Sequence, residues 1–319
     1  MIIRVSCTMV AFSTLALFAA LPSNAYAEDN ENQTVWNIFH GAPKFKSDNG
    51  NYWKIRGRIL WDIADITETP INGLSRNINA DEFRAARIGI EGQFDVFKYK
   101  AELDFAGNKT SYKDINVTWK GPLAITVGQM KAGGSLEEIT SSRHIAFMER
   151  GMATDAFGFD RRLGVNIAKS GKNYGVNAGI FGNSINGKKD DKPSNTVWAA
   201  RGYFTPVQEK GNIVHLGASV RHTNNATGAP KHSARWGLHQ ATEKVKPVIG
   251  SDAFLFGFEA ATVQGAFHAH AEYLTEDGDL GSAKGGFIQA GYFLTGESRK
   301  YKGGKFDRTS PLKPLSQGG

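Results

Sequence analysis

Basic residues recur at every second position in this chain. Lys54, Arg56 and Arg58 share one side of a first alternating run, Arg87 one side of the next, and Lys98 and Lys100 one side of a third. Arg162, Arg201 and Arg221 take equivalent positions further on, and Lys131, Arg143, Arg150 and Arg161 lie in or beside a long connection. Such a set does no covalent chemistry. It attracts anions, and the planar guanidinium fork can give two hydrogen bonds to one oxyanion. Passing an anion onward needs several weak sites along a narrow path, so that release stays fast. Asp62, Glu91, Glu102 and Asp104 share the parity of these cations and would hold them in place. The bland alternative is that all these charges only pair with one another and solvate a polar face.

The elements that must position the set are strands. Runs of roughly 8 to 12 residues alternate with period two and are punctuated by Gly, Asn, Asp and Lys turns. In residues 52–65, Trp53, Ile55, Ile59, Trp61 and Ile63 oppose Lys54, Arg56, Arg58, Leu60 and Asp62. In 84–94, Ala86, Ile88, Ile90 and Phe94 oppose Arg87, Glu91 and Gln93. Further strands are expected at 97–105, 115–119, 123–131, 162–168, 174–182, 197–205, 213–222, 254–262, 267–274 and 287–294, with a weak one at 235–241, about 13 in all. Aromatics close the apolar faces at Trp53, Phe94, Phe97, Phe105 and Trp119, as interface girdles do. A soluble β-sandwich shares the alternation, but gives no reason for basic residues to gather on one face. The fold class predicted is all-β, an antiparallel transmembrane β-barrel with polar residues inside. The connection at 132–160 is too long for an idle turn. It reads as an external lid or as a loop folded into the pore.

The N-terminus reads as an address. Arg4 precedes an apolar run from Met9, and Ala25 and Ala27 sit at −3 and −1 of a cleavage site before Glu28. Residues 1–27 are thus expected to be a cleaved signal peptide, 28–50 a periplasmic or lumenal segment, and 51–319 the barrel. The single cysteine, Cys7, falls in the signal, so thiolate metal sites and disulfides are excluded from the mature part. The whole chain carries a formal charge of +7. After export, nucleic acid is not an expected partner, which leaves small anions and acidic lipid.

Enzymatic signals are weak. No Walker-type phosphate loop and no Gly-x-Ser-x-Gly elbow occurs. His268, His270 and Glu272 share a strand face and have metal-ligand chemistry, but pore lining is the better reading. No enzyme activity, metal or cofactor is expected.

From about residue 55 onward the chain resembles the phosphate-selective porin O and P family. The resemblance rests on FRAARIGIEG at 83–92, VGQMK at 127–131, SLE at 135–137, TSSR at 140–143 and FMERG at 147–151, followed by RRLG at 161–164. It continues with FGFEAA at 256–261, AEY at 271–273 and YFLTGESRKY at 292–301. Each segment is moderately specific, and their common order is what makes the resemblance strong. It implies a 16-stranded trimeric barrel in the Gram-negative outer membrane, in contact with lipid and lipopolysaccharide, with a basic pore for phosphate or polyphosphate. It also implies about three further strands beyond Gly319, which makes this chain read as a C-terminally truncated member. A general porin without ionic preference, and a truncated barrel that does not conduct, are the competing functional readings.

Overall fold

A computed structural model describes residues 43–69, 75–186, 195–224, 232–235 and 237–314. The expected signal peptide, most of the 28–50 segment and the final residues 315–319 lie outside the described residues. The chain divides into two compact units, residues 1–120 and 121–319.

The first unit contains β1 (Lys44–Lys46), β2 (Tyr52–Glu68), β3 (Arg76–Phe94), β4 (Phe97–Asp104) and β5 (Ser111–Lys120). They pair antiparallel in chain order. Alternation of β-branched and aromatic residues with polar ones builds β2 as expected: Trp53, Ile55, Ile59, Trp61 and Ile63 are exposed, while Lys54, Arg56, Arg58 and Asp62 are half-buried. Trp61 and Ile88 are 52% and 54% exposed, so the greasy face points away from the protein. The turn between β3 and β4 needs a left-handed residue, and Asp95 takes it at φ +51°, a conformation that Asp tolerates. β1 was too short to be expected, and Phe45 stacks on Trp53 with ring centroids 3.9 Å apart.

Two β-bulges break the simple alternation of this unit. Leu60 pairs with Ala85 but Trp61 with Phe83, which makes Arg84 the extra residue. Ala101 pairs with Ile115 but Leu103 with Tyr112, so Lys113 and Asp114 together oppose Glu102. An extra residue switches the parity of the strand beyond it. Phe83 and Tyr112 are accordingly exposed on the same side as Ile88 and Val117 despite their opposite parity.

The second unit begins with β6 (Ala124–Lys131), α1 (Leu136–Ile139), α2 (Met152–Phe157), β7 (Arg161–Ser170), β8 (Tyr174–Phe181), β9 (Thr196–Glu209) and β10 (Asn212–Asn224). β11 (Ala234–Arg235), β12 (Lys244–Val245), β13 (Asp252–Gln264), β14 (Phe267–Gly278), β15 (Gly281–Tyr292), β16 (Tyr301–Lys302) and β17 (Lys305–Phe306) follow. β6 to β10 pair in chain order, β13 joins β10, and β14 and β15 complete the run, all antiparallel. β11 with β12 and β16 with β17 are separate two-residue ladders. The class is therefore all-β and antiparallel. The weak strand expected at 235–241 contributes only the two-residue β11 and stands outside the large sheet. The last expected strand, 287–294, begins earlier, at Gly281.

The core of this second unit is built by chain folded onto the buried face of its sheet. Leu136 and Phe306 pack with Ile213, Ala261 and Val263, and Ala153 and Phe157 pack with Leu255 and Leu274. Phe159 and Ala132 join Met130, Phe181, Val197 and Ala199. The 132–160 connection is thus seated on the sheet rather than left as a free lid. Each large apolar side chain buried this way contributes about 1.5–3 kcal/mol.

Candidate functional site

In the first unit the basic residues form an open ladder of ion pairs. Lys54 Nζ lies 2.6 Å from Glu91, and Arg56 pairs with the other oxygen of Glu91 and stands 3.9 Å from Glu102. Arg87 bridges Glu102 at 3.2 Å and Asp104 at 2.7 Å, while Lys100 pairs with Asp114. Arg58 stands directly opposite Arg87 across β2 and β3. Lys98, at the start of β4, is exposed. All six residues expected from the alternation fall on one face. Two more belong to it that alternation alone misplaces: Lys113, 3.5 Å from Asp104, and Arg84, 3.9 Å from Asp62. Both sit in the bulges, whose signal is not visible in a period-two pattern.

In the second unit Arg201 and Arg221 are enclosed. Arg201 donates to Glu259 through Nε at 3.0 Å and through Nη2, and Nη2 also reaches the Gly304 carbonyl at 2.8 Å. His215 Nε2 meets the same carboxylate at 2.9 Å, and its Nδ1 meets the Tyr301 hydroxyl at 2.5 Å. Arg221 donates to Glu276 at 3.3 Å and to the Phe157 carbonyl at 2.8 Å. His232 Nε2 lies 3.1 Å from Glu276, with Nδ1 on the Ala156 carbonyl at 3.0 Å. Arg162 donates to the Gly182 carbonyl at 3.1 Å and lies 3.9 Å from the centroid of the Phe159 ring. Arg161 is 3.6 Å from Asp160.

The 132–160 connection is held largely through its main chain. The amide of Leu136 donates to Glu259 at 2.7 Å and that of Glu137 to Glu272 at 2.6 Å. Thr154 adds a hydroxyl bond to Glu272 at 3.3 Å, and His270 Nε2 lies 2.9 Å from the same carboxylate. Arg150 fastens the connection to itself, donating to the carbonyls of Glu137 at 3.1 Å and Thr140 at 2.8 Å. Lys131 donates to the Glu138 carbonyl, while Arg143 is exposed on the 141–148 stretch. Burial pushes the carboxyls of Glu137 and Glu138 above the ordinary range, Glu137 further because Glu272 is near. Burial, helped by the charge of Arg143, pushes His144 down.

The 293–314 segment folds onto the same face. Arg299 donates to the His144 carbonyl at 3.0 Å and stands 3.5 Å from the centroid of the Phe306 ring. Burial brings its guanidinium down to about 10. His268 and His270, with Glu272 the one weak metal signal of the sequence, go to different partners. His268 Nδ1 lies 3.4 Å from Arg299, while His270 Nδ1 meets Gln289 at 2.8 Å. Among the described residues no group of three or more His, Cys, Asp and Glu is placed to hold a metal.

Sequence reading found Arg201 and Arg221 but passed over their acidic partners, Glu259 and Glu276. For Glu259 the available signal was an acid at inward parity in β13, whose other inward residues, such as Leu255, Ala261 and Val263, are apolar. Glu276 follows His268, His270 and Glu272 on the inward face of β14, where one more polar residue does not stand out.

Comparison with known proteins supplies the family. A family model described as phosphate-selective porin O and P matches residues 53–319. An uncharacterized protein of Caulobacter vibrioides is 33% identical, over 88% of this chain and 60% of its own length. Porin O of Pseudomonas aeruginosa is 27% identical, over 73% of this chain and 63% of its own. The chain therefore spans about 60% of the length of the curated relatives it matches. Among solved structures, an anion-selective porin from Comamonas acidovorans aligns with a TM-score of 0.39 at 10% identity, covering 75% of this chain and 83% of its own. The Vibrio cholerae outer-membrane protein OmpT, in its trimer form, aligns with a TM-score of 0.38 at 9% identity, covering 78% and 83%. With a family match reaching across most of the sequence, the chain belongs to the phosphate-selective porin O and P family.

Proposed function

We propose that this chain is part of an outer-membrane porin whose water-filled channel prefers anions, phosphate or polyphosphate among them. The observation that carries the reading is the first unit's two-sided sheet. Trp61, Ile88 and Val117 are exposed on one face, while Lys54, Arg56, Arg58, Arg87 and Lys100 line the other. A broad exposed apolar surface needs lipid or a partner to cover it. A face rich in cations raises the local concentration of anions. Family membership supports the same reading, as does similarity to Porin O. Transport of this kind asks for no enzyme chemistry and no cofactor. Export through a cleaved signal at 1–27, a homotrimeric assembly and contact with lipopolysaccharide complete the proposal.

Within it, Lys54, Arg56, Arg58, Arg87, Lys98, Lys100 and Arg143 meet the anion. Lys131, Arg150, Arg161, Arg162, Arg201 and Arg221 shape the path by holding chain in place. The second reading, a general porin with little preference, draws on the acids that accompany the cations, Glu91, Glu102 and Asp104.

The test is the reversal potential of the purified protein in planar bilayers under a KCl gradient, repeated with inorganic phosphate added. An anion-selective potential with phosphate-dependent block is expected. A neutral or cation-selective channel overturns the reading, and so does absence of any conductance.

A further inference from the structure

Glu259 on β13 and Glu272 on β14 stand directly opposite each other in the antiparallel ladder. Two carboxylates in that relation repel, and a sheet gains nothing by placing them so. Both are buried, at 5% and 4% exposure. What meets them is the start of α1. Ser135, at its N-cap, makes no side-chain capping bond, and the amides of Leu136 and Glu137 point instead at the two carboxylates, one each. Further along the same face Arg221 donates to the carbonyl of Phe157, the last residue of α2. The acids of the sheet thus meet free amides at one helix start, and its arginine meets a free carbonyl at a helix end, each of the sign that such groups favour.

We infer that Glu259 and Glu272 cap α1 from the sheet, and that this main-chain grip sets where the 132–160 connection sits. The inference rests on the channel reading, since the seat matters because it would fix the width and charge of the path. Neither carboxylate touches the anion; both are positioning residues. Arg201 and His215 hold Glu259 from β9 and β10, and His270 holds Glu272 from its own strand. Thr154 and the Glu137 amide approach Glu272 from the connection.

The experiment uses the full chain carrying Cys7→Ser, with one reporter thiol introduced at a time. Thr140→Cys places it at a position 1% exposed beside α1, and Phe147→Cys at one 62% exposed. Maleimide labelling of the first is expected to be far slower than that of the second. Glu272→Ala, which removes the acceptor, should speed labelling at 140 about 10- to 100-fold, the loss of a charged hydrogen bond, and leave labelling at 147 unchanged. Glu272→Gln keeps an acceptor oxygen and should stay within about 3-fold of the parent. If the alanine variant does not fold, the double variant Glu259→Gln with Glu272→Gln takes its place and should speed labelling about 10-fold through lost charge. Protection at 140 that survives either change overturns the inference. Conductance is measured on the same proteins. Labelling as expected without conductance defeats the channel reading and leaves the cap standing, and conductance with indifferent labelling does the reverse.

Discussion

Ion pairs on the polar face of the first unit differ from those of the second chiefly in their access to water. Lys54, Arg56, Arg87, Lys100 and Lys113 keep 14–36% of their side-chain surface exposed. Arg201, Arg221, His215, His232 and His270, with the carboxylates they meet, keep 0–5%. In the proposed channel, charges of the first kind would stay exchangeable, and an incoming anion would compete with a carboxylate for them. Those of the second kind are committed, because a buried charge that loses its partner faces a large desolvation cost. The same residue types therefore stand half-exposed in one unit and hold the structure together in the other.

The sharpest way to break this contrast is to remove one partner in each unit. Arg201→Met removes the guanidinium partner of Glu259, leaving it His215 and the Leu136 amide, and should cost about 3–5 kcal/mol. The corresponding Arg56→Met should cost no more than about 1 kcal/mol. Urea unfolding monitored by far-ultraviolet circular dichroism compares the two, and equal losses would erase the distinction. Phe306→Ala should also cost about 3–5 kcal/mol, as a cavity beneath the β16–β17 hairpin, and loosen Arg299 with it.

Selectivity should move in the opposite order. Replacing Arg56, Arg58 and Arg87 together by Gln should carry the reversal potential most of the way to neutrality, whereas Arg221→Gln should change it little in protein that still folds. Rising salt should weaken the preference of the parent, since exposed charges are screened within about 8 Å at physiological ionic strength.

A smaller effect is expected with pH. Glu137 and Glu138 have raised pKa values in the seated connection. A carboxyl of that kind binds its proton more tightly when seated. Its contribution is complete below the pKa of the released form and is lost as pH rises through that of the seated form. Glu272 and His270 face Glu137, while Lys131, Arg221 and Arg150 face Glu138. Labelling at position 140, measured relative to 147, should therefore speed up as pH rises, and Glu138→Gln should flatten the slope. A rate that falls with rising pH would contradict the burial of these acids.

Most of the sheet could be read from alternation alone, because a strand with one greasy and one polar face writes its period into the sequence. Lys113 and Arg84 escaped that reading since a bulge resets the phase without changing composition. The first half of β15 escaped it because Gly281, Gly285 and Gly286 have no side chains to alternate. Both helices went unread because four and six residues are too few to establish a 3.6-residue period. The basic side of the candidate site was legible as charge at inward parity. The acids of the first unit were legible in the same way, and His268, His270 and Glu272 as residues of one strand face. The partners of Glu259, Glu272 and Glu276 were not, since amides, guanidinium groups and rings distant in sequence supply them.

Where the sheet holds the 132–160 connection by amide protons and a carbonyl oxygen, it grips features that every residue but proline carries. Exposed residues between the two helices, Arg143, Phe147 and Met148, can then be respelled without touching those grips. Preference for one solute over another could drift in this lineage while the scaffold underneath stays the same.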